Sequence, residues 1–154
     1  MNLESPRIID GEPMLIAGLD ERYNCDNTSG IPGQWGRFGP HIGNIAGQIG
    51  KAAYGVCHEM ADAGFRYLSG VEVTSADGLP EGFSAVKLPA QRYAVFPHCE
   101  HVSRLNETMD AIWSKWLPES GNKAANSPVA LERYGESFDP QSGIGDVEVW
   151  LAIE

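Results

Sequence analysis

The sequence has few basic residues and no long apolar run. Only 11 Lys and Arg stand against 21 Asp and Glu, so the formal net charge is −10. Because affinity for nucleic acid comes mainly from basic residues that neutralise phosphates, this balance argues against direct nucleic-acid binding. It is compatible with a cationic partner, although a negative surface also serves solubility alone. No apolar run approaches the roughly 20 residues that a membrane-spanning helix needs, so we expect no membrane contact.

Cysteine is also scarce, and no pattern of metal ligands is present. Cys25, Cys57 and Cys99 form an odd set without close spacing, which predicts reduced thiols. His98 and His101 flank the last of them, but the ligand spacing of a zinc site is absent, so we expect neither a metal nor a cofactor. The first ten residues contain no apolar signal region, and a cytoplasmic protein is expected.

The first half of the chain predicts a strand, a helix and then two strands. Residues 13–22 carry the pattern of a first strand. The following helical spacing is interrupted at Gly39 and Pro40, which predicts a short helix that breaks there. The segments KAAYGVCHEM and FRYLSGVEVTS then form a β-hairpin with its turn at residues 61–64.

The second half repeats this order. QRYAVFPHC is a strand, and an apolar stripe from Val102 to Trp116 predicts an amphipathic helix that Pro118 ends. Residues 129–134 and 147–153 form a closing hairpin. The sequence therefore predicts one α+β domain over residues 1–154, with pseudo-repeats at about 8–75 and 84–154. The two strand-helix-strand-strand units are expected to be related by a pseudo-twofold axis, with a mainly antiparallel sheet and a ligand cleft between them.

The closing hairpin holds the residues best suited to bind a ligand. Strand alternation places an aliphatic row on one face, where it should meet the helix. The other face is predicted to carry two carboxylates beside two rings: Glu132, Tyr134, Glu148 and Trp150. Aromatic rings attract organic cations by about 0.5–2 kcal/mol per contact, and a half-buried carboxylate gains a partner. Glutamates that face solvent and rings that pack locally also give this pattern, so the pattern alone leaves both interpretations open.

Several segments together resemble the GyrI-like small-molecule-binding family, the effector-binding domain of several AraC-type and MerR-type regulators. They are AAYGVCHE, FRYLSGVEV, QRYAVFPHCEHVSRLNETMDAIWSKWLPESG, PVALERY and DVEVWLAI, and the resemblance as a whole runs from about residue 13 to residue 153. The resemblance implies a central aromatic pocket in which an acid pairs with lipophilic cations. By position that acid is similar to Glu132, with Glu72 and Glu148 as further candidates. The rings would come from Trp35, Tyr67, Tyr93, Tyr134 and Trp150.

The leading hypothesis is a non-catalytic module that binds amphipathic cations. We expect no helix-turn-helix segment like that of the regulators, because the chain is also similar to stand-alone drug-binding modules, including one on an integron cassette. A regulatory protein or a second copy of the chain stays open as a partner. One alternative is a hydrolase of strained electrophilic molecules that uses a pocket glutamate. Another is a protein-interaction module such as a gyrase inhibitor.

Overall fold

The computed structural model describes residues 3–24, 27–61, 64–125, 130–139 and 141–154. The strands are β1 (Arg7–Gly11), β2 (Met14–Asn24), β3 (Ala53–Ala61), β4 (Gly64–Glu72), β5 (Ser84–Leu88), β6 (Gln91–His98), β7 (Ala130–Tyr134) and β8 (Val147–Ile153). Helix α1 (Ile31–Phe38) is followed by the 3-10 turn Gly39–His41. The second helix, as we call it, is the continuous series of a 3-10 turn (Val102–Arg104), α2 (Leu105–Ala111), a π-helical turn (Ile112–Trp116) and α3 (Leu117–Ser120). Within the described ranges, no helix has the length and apolar character needed to span a membrane.

All eight strands form one antiparallel sheet, in the order β1-β6-β8-β7-β3-β4-β2-β5. The order is symmetric about its centre. Counted inward from either end, it begins with an edge strand, which we call the outer arm (β1 or β5), and continues with the first, the last and the middle of the other three strands of one half. The arm β1 pairs with β6 of the second half, and the arm β5 pairs with β2 of the first half. The halves therefore exchange their outer strands about the β3–β7 junction. The predicted duplicated α+β fold with pseudo-twofold symmetry is confirmed.

The exchanged arms force the sheet to curl. Only Glu12 and Pro13 connect β1 to β2, although these strands lie near opposite ends of the sheet. Three Cα-to-Cα steps span at most about 11 Å, so the two ends must approach each other. Pro13 has no N–H to donate, which suits a point where the chain leaves one ladder for another. The sequence prediction began at residue 13 and missed β1.

The face of the sheet inside this curl, which we call the concave face, has its own apolar core. Residues from both ends of the sheet meet there, among them Ile16 and Leu88 from one end and Tyr93 and Val95 from the other. All four are at most 1% exposed. The helices cover the opposite face, which we call the helix face.

The second helix packs as its apolar stripe predicts. Leu105 and Ile112 form one buried cluster with the aliphatic row of β8 and with Phe96 of β6. Phe96 is fully buried, and its ring centroid lies 5.0 Å from that of Trp116 in an edge-to-face arrangement. The prediction that the aliphatic row meets this helix is confirmed.

The prediction that Pro118 ends the second helix is wrong. The helix continues through α3 to Ser120 and ends at Gly121, whose φ of 79° is left-handed. The preceding π-helical turn explains the difference. In that turn the Leu117 N–H donates to the Ile112 carbonyl, five residues back, so the hydrogen-bond spacing has already changed where Pro118 lacks a donor.

Candidate functional site

The strand register divides the predicted site residues between the two faces of the sheet. In β7, Glu132 and Tyr134 pair with members of the aliphatic row of β8, whereas Glu148 and Trp150 alternate with that row. Paired residues of antiparallel strands project from the same face. Glu132 and Tyr134 therefore lie on the helix face, and Glu148 and Trp150 lie on the concave face. The prediction that all four share one face is wrong.

A cleft of about 460 Å³ opens on the helix face between the two halves. One wall comes from the first half of the chain and the other from the second helix, and β7 contributes to the floor. The lining residues are Thr28, Ile31, Cys57, Phe65, Tyr67, Asn106, Met109, Asp110, Trp113, Ala130 and Glu132. The cleft thus lies between the halves, where the sequence predicts it.

Four of the predicted site residues form one hydrogen-bonded group at this cleft. The hydroxyls of Tyr67 and Tyr134 each donate to Oε1 of Glu132 at 2.7 Å. The indole N–H of Trp35 donates to the Tyr67 hydroxyl at 2.9 Å. The Trp35 ring also packs edge-on against Tyr134, with 5.3 Å between the centroids. The two tyrosines and Trp35 thereby fix the position of the Glu132 carboxylate.

The Glu132 carboxylate is held by neutral donors. Within the described part of the chain it makes no ion pair, and its second oxygen, Oε2, accepts no hydrogen bond. Burial raises the pKa of Glu132 above its ordinary value, and the hydrogen bonds from Tyr67 and Tyr134 oppose that rise. Burial, reinforced by the nearby Glu132 carboxylate, also raises the pKa of the Cys57 thiol in the cleft wall, so this thiol stays protonated.

Gly55 makes room for this group. It pairs directly with Glu132 across the β3–β7 junction. A Cβ at this position would lie 2.1 Å from the Tyr67 hydroxyl and 2.8 Å from Oε1 of Glu132. Only a glycine leaves space for both side chains here, so Gly55 belongs to the site, although no sequence pattern predicts this.

The other predicted residues lie on the concave face. The Tyr93 and Trp150 rings are in contact, with 5.3 Å between their centroids. Trp150 donates its indole N–H to Glu148 at 3.1 Å, and Arg7 forms an ion pair with Glu148 at 2.8 Å. Glu72 and both rings line a separate cavity of about 310 Å³. These residues therefore do not contact the Glu132 cleft.

The contributions of the second helix to the cleft were not predicted from the sequence. Met109 and Trp113 lie within the apolar stripe, and the acidic residue Asp110 follows Met109 in the chain. All three line the cleft. Helical periodicity identifies a buried stripe but does not show which side of it borders an opening.

The histidines near the end of β6 serve the fold. His98 is buried, with Nδ1 2.8 Å from the Thr108 hydroxyl and Nε2 2.9 Å from the His101 carbonyl oxygen. Both ring nitrogens are thus engaged. Across the described ranges, no three His, Cys, Asp or Glu side chains come together in a way that would hold a metal ion.

Glu132→Gln is expected to raise the free energy of unfolding at pH 7 by on the order of 1 kcal/mol. Because folding raises the pKa of Glu132, the protonated acid stabilises the fold below about pH 4.5, which is the ordinary pKa of a glutamate. This contribution is lost as the pH rises through the pKa that Glu132 has in the folded protein. Gln stays neutral and still accepts from both tyrosines. Urea unfolding at pH 4 and pH 7 measures the effect. The matched variant Glu148→Gln should show no such gain, because it loses the ion pair with Arg7, and a Glu132→Gln protein less stable than the parent at pH 7 would contradict the assignment.

Comparisons with known proteins agree on the type of domain. A family model described as the GyrI-like small molecule binding domain matches residues 4–154. The transcriptional regulator BrlR of Pseudomonas aeruginosa is 32% identical over 152 residues, covering 96% of this chain and 54% of the regulator. The chain thus spans about half the length of this curated relative.

Two solved structures share the fold. SAV2435, in a complex with tetraphenylphosphonium, superposes with a TM-score of 0.79 at 18% identity, over 98% of this chain and 94% of that one. An integron cassette protein from the mobile metagenome of Vibrio cholerae superposes with a TM-score of 0.66 at 16% identity, over 99% and 97% of the two chains.

Proposed function

Since the chain belongs to the GyrI-like small molecule binding domain family, we propose that it binds amphipathic organic cations in the cleft above Glu132. The single observation that carries this proposal is the state of the Glu132 carboxylate. Two tyrosine hydroxyls donate to it, and it forms no ion pair with a Lys, Arg or His side chain among the described residues. A buried carboxylate without a counter-charge is unfavourable, and a bound cation relieves that penalty.

The walls of the cleft suit the apolar part of such a ligand. Phe65, Tyr67 and Trp113 present rings, and Ile31 and Met109 present aliphatic surface. Ring faces stabilise an organic cation through cation–π attraction and also bury its apolar area. A volume of about 460 Å³ lies within the usual range for small-molecule sites.

The charge of the whole protein also favours a cation. With a formal net charge of −10, the chain attracts positive ligands and repels negative ones. Asp110 adds a second carboxylate where the second helix borders the cleft. SAV2435, with the same fold, has been solved with tetraphenylphosphonium, which is a lipophilic cation. We extend that class of ligand to this chain.

A pair of ligands that differ mainly in charge tests the proposal. We expect methyltriphenylphosphonium to bind at least about 10-fold more tightly than neutral triphenylphosphine oxide, because both bury similar rings but only the cation pairs with Glu132. Isothermal titration calorimetry at pH 7.5 measures both affinities. Equal affinities would contradict a charge-selective site, and absence of binding by either ligand would contradict the proposed ligand class.

A further inference from the structure

The cavity on the concave face has the composition of a binding site. Its volume is about 310 Å³, and it lies where the chain passes from β1 to β2. Ile9 and Met14 supply apolar surface, Tyr93 and Trp150 supply rings, and Glu72 supplies a carboxylate. No lining residue is shared with the Glu132 cleft, and the sheet separates the two spaces.

The two rings of this cavity are fixed in place. Tyr93 is fully buried, and its hydroxyl accepts a hydrogen bond from the Gln91 side chain at 2.7 Å. The Trp150 ring lies against it at an interplanar angle of 57° and is anchored by its bond to Glu148. Gly11 passes directly over Tyr93, where a Cβ would come within 2.6 Å of the ring. The rings therefore form a rigid, preformed wall.

One half-buried carboxylate of this cavity lacks a counter-charge among the described residues, whereas Glu12, which also lines it, is exposed to solvent. Asp10 forms an ion pair with Arg92 at 3.3 Å, and the neighbouring Glu148 is paired with Arg7. Glu72 is half-buried, and among the described residues its carboxylate forms neither an ion pair nor a side-chain hydrogen bond. An unpaired acid beside two fixed rings attracts a cation both by charge pairing with the carboxylate and by cation–π attraction to the rings.

The internal symmetry of the fold places an apolar residue at the position equivalent to Glu72. Glu72 pairs with Ile16, which is the third residue of β2, and Ala152 pairs with Tyr93, which is the third residue of β6. Glu72 and Ala152 thus occupy equivalent positions in the two halves, and Ala152 is fully buried in the core. An apolar residue satisfies the fold at this position, so the carboxylate and the cavity beside it call for another explanation.

We propose that this cavity is a second binding site, independent of the Glu132 cleft, for a compact organic cation of the alkylammonium or arylammonium class. The ammonium group lies between the Glu72 carboxylate and the face of Trp150, because tryptophan gives the strongest cation–π attraction. Apolar substituents contact Ile9 and Met14. The volume is at the lower end of the range for ligand sites, which favours a compact cation over the bulky cations proposed for the cleft.

The test uses the indole N–H signals of the four tryptophans in ¹⁵N-labelled protein, with the Trp150 signal assigned from Trp150→Phe. Benzyltrimethylammonium is the probe, and neopentylbenzene is its neutral control of the same shape. We expect the cation to shift the Trp150 signal in a saturable way, and the neutral control to shift it far less. Glu72→Gln should weaken this titration by about 10-fold.

Two further variants separate the two sites. Glu132→Gln should change the Trp150 titration by no more than about twofold, since distant sites act independently. Glu119→Gln, an exposed acid near the end of the second helix, removes the same charge and should also leave it unchanged. An unmoved Trp150 signal, or equal titrations of the parent and Glu72→Gln, would overturn the second site. Loss of the Trp150 response in Glu132→Gln would show that the cation occupies the cleft alone. None of these results decides whether the cleft binds cations, which the phosphonium titration tests separately.

Discussion

Glu132→Gln is expected to weaken the binding of methyltriphenylphosphonium by roughly 30- to 1000-fold. The substitution keeps the size of the side chain and an acceptor for the hydroxyls of Tyr67 and Tyr134, but it removes the negative charge that faces the ligand. In a partly buried cleft the unpaired charge of the ligand then costs about 2–4 kcal/mol. Fluorescence titration or calorimetry at pH 7.5 measures the loss.

Two controls isolate the role of that carboxylate. Glu148→Gln removes an acid from the adjacent strand on the concave face, and its effect on this ligand should stay within about twofold. Lowering the pH should mimic Glu132→Gln in the parent protein only. Because burial raises the pKa of Glu132, affinity for the cation should begin to fall at a pH above 4.5 as the acid takes up a proton. A Glu132→Gln protein that binds the cation with parental affinity would show that Glu132 does not take part in the site.

Phe96→Ala is expected to lower the free energy of unfolding by about 3–5 kcal/mol. Phe96 is fully buried between the sheet and the second helix, and its ring packs on Trp116. Its removal leaves a cavity at the point where the second helix is attached, and the loss is a large part of the stability of a typical domain. Urea unfolding monitored by circular dichroism measures the change.

The exposed residue Ile8 provides the control for this substitution. It is 50% exposed on the outer arm β1, so Ile8→Ala should cost less than about 1 kcal/mol. Because the second helix also carries Met109 and Trp113 of the cleft wall, Phe96→Ala should weaken the binding of the cation as well. A Phe96→Ala protein as stable as the parent would show that the helix is attached in another way.

Local periodicity was sufficient to predict the elements that have a single apolar face. The second helix and the aliphatic row of β8 each repeat with one clear period, and they meet as predicted. The break after α1 also follows from local chemistry, since Gly39 and Pro40 disfavour a continued helix. These features depend only on neighbours in the sequence.

Relations between distant segments could not be predicted in the same way. Residues 135–146 separate β7 from β8, and their length does not fix the register. A shift of one residue moves every side chain to the opposite face, so alternation within each strand left the grouping of Glu132 with Glu148 undecided. The exchange of β1 and β5 is likewise invisible in the sequence, because neither arm carries a local signal of the distant strand with which it pairs.

The site itself was only half accessible from the sequence. Glu132, Tyr67, Tyr134 and Trp35 were named from strand patterns and from the family resemblance, and the structure brings these four together. Gly55 was missed, because nothing in the sequence shows that its missing side chain leaves space for Glu132. These two residues pair directly across the β3–β7 junction, one from each half of the fold.

The exchange of outer strands has a consequence during synthesis on the ribosome. Strand β1 emerges first, but its partner β6 follows about 80 residues later, as the pairing of Gly11 with Gln91 shows. At roughly 5–20 residues per second, the arm waits about 4–16 s before it can pair. Late in that interval, once β4 has been made, the first half is complete except for the outer strand β5 that pairs with β2, and β1 has an unpaired edge that can associate with other nascent chains. Slow translation across residues 73–90 would therefore lengthen the period in which this protein is most exposed to misassembly.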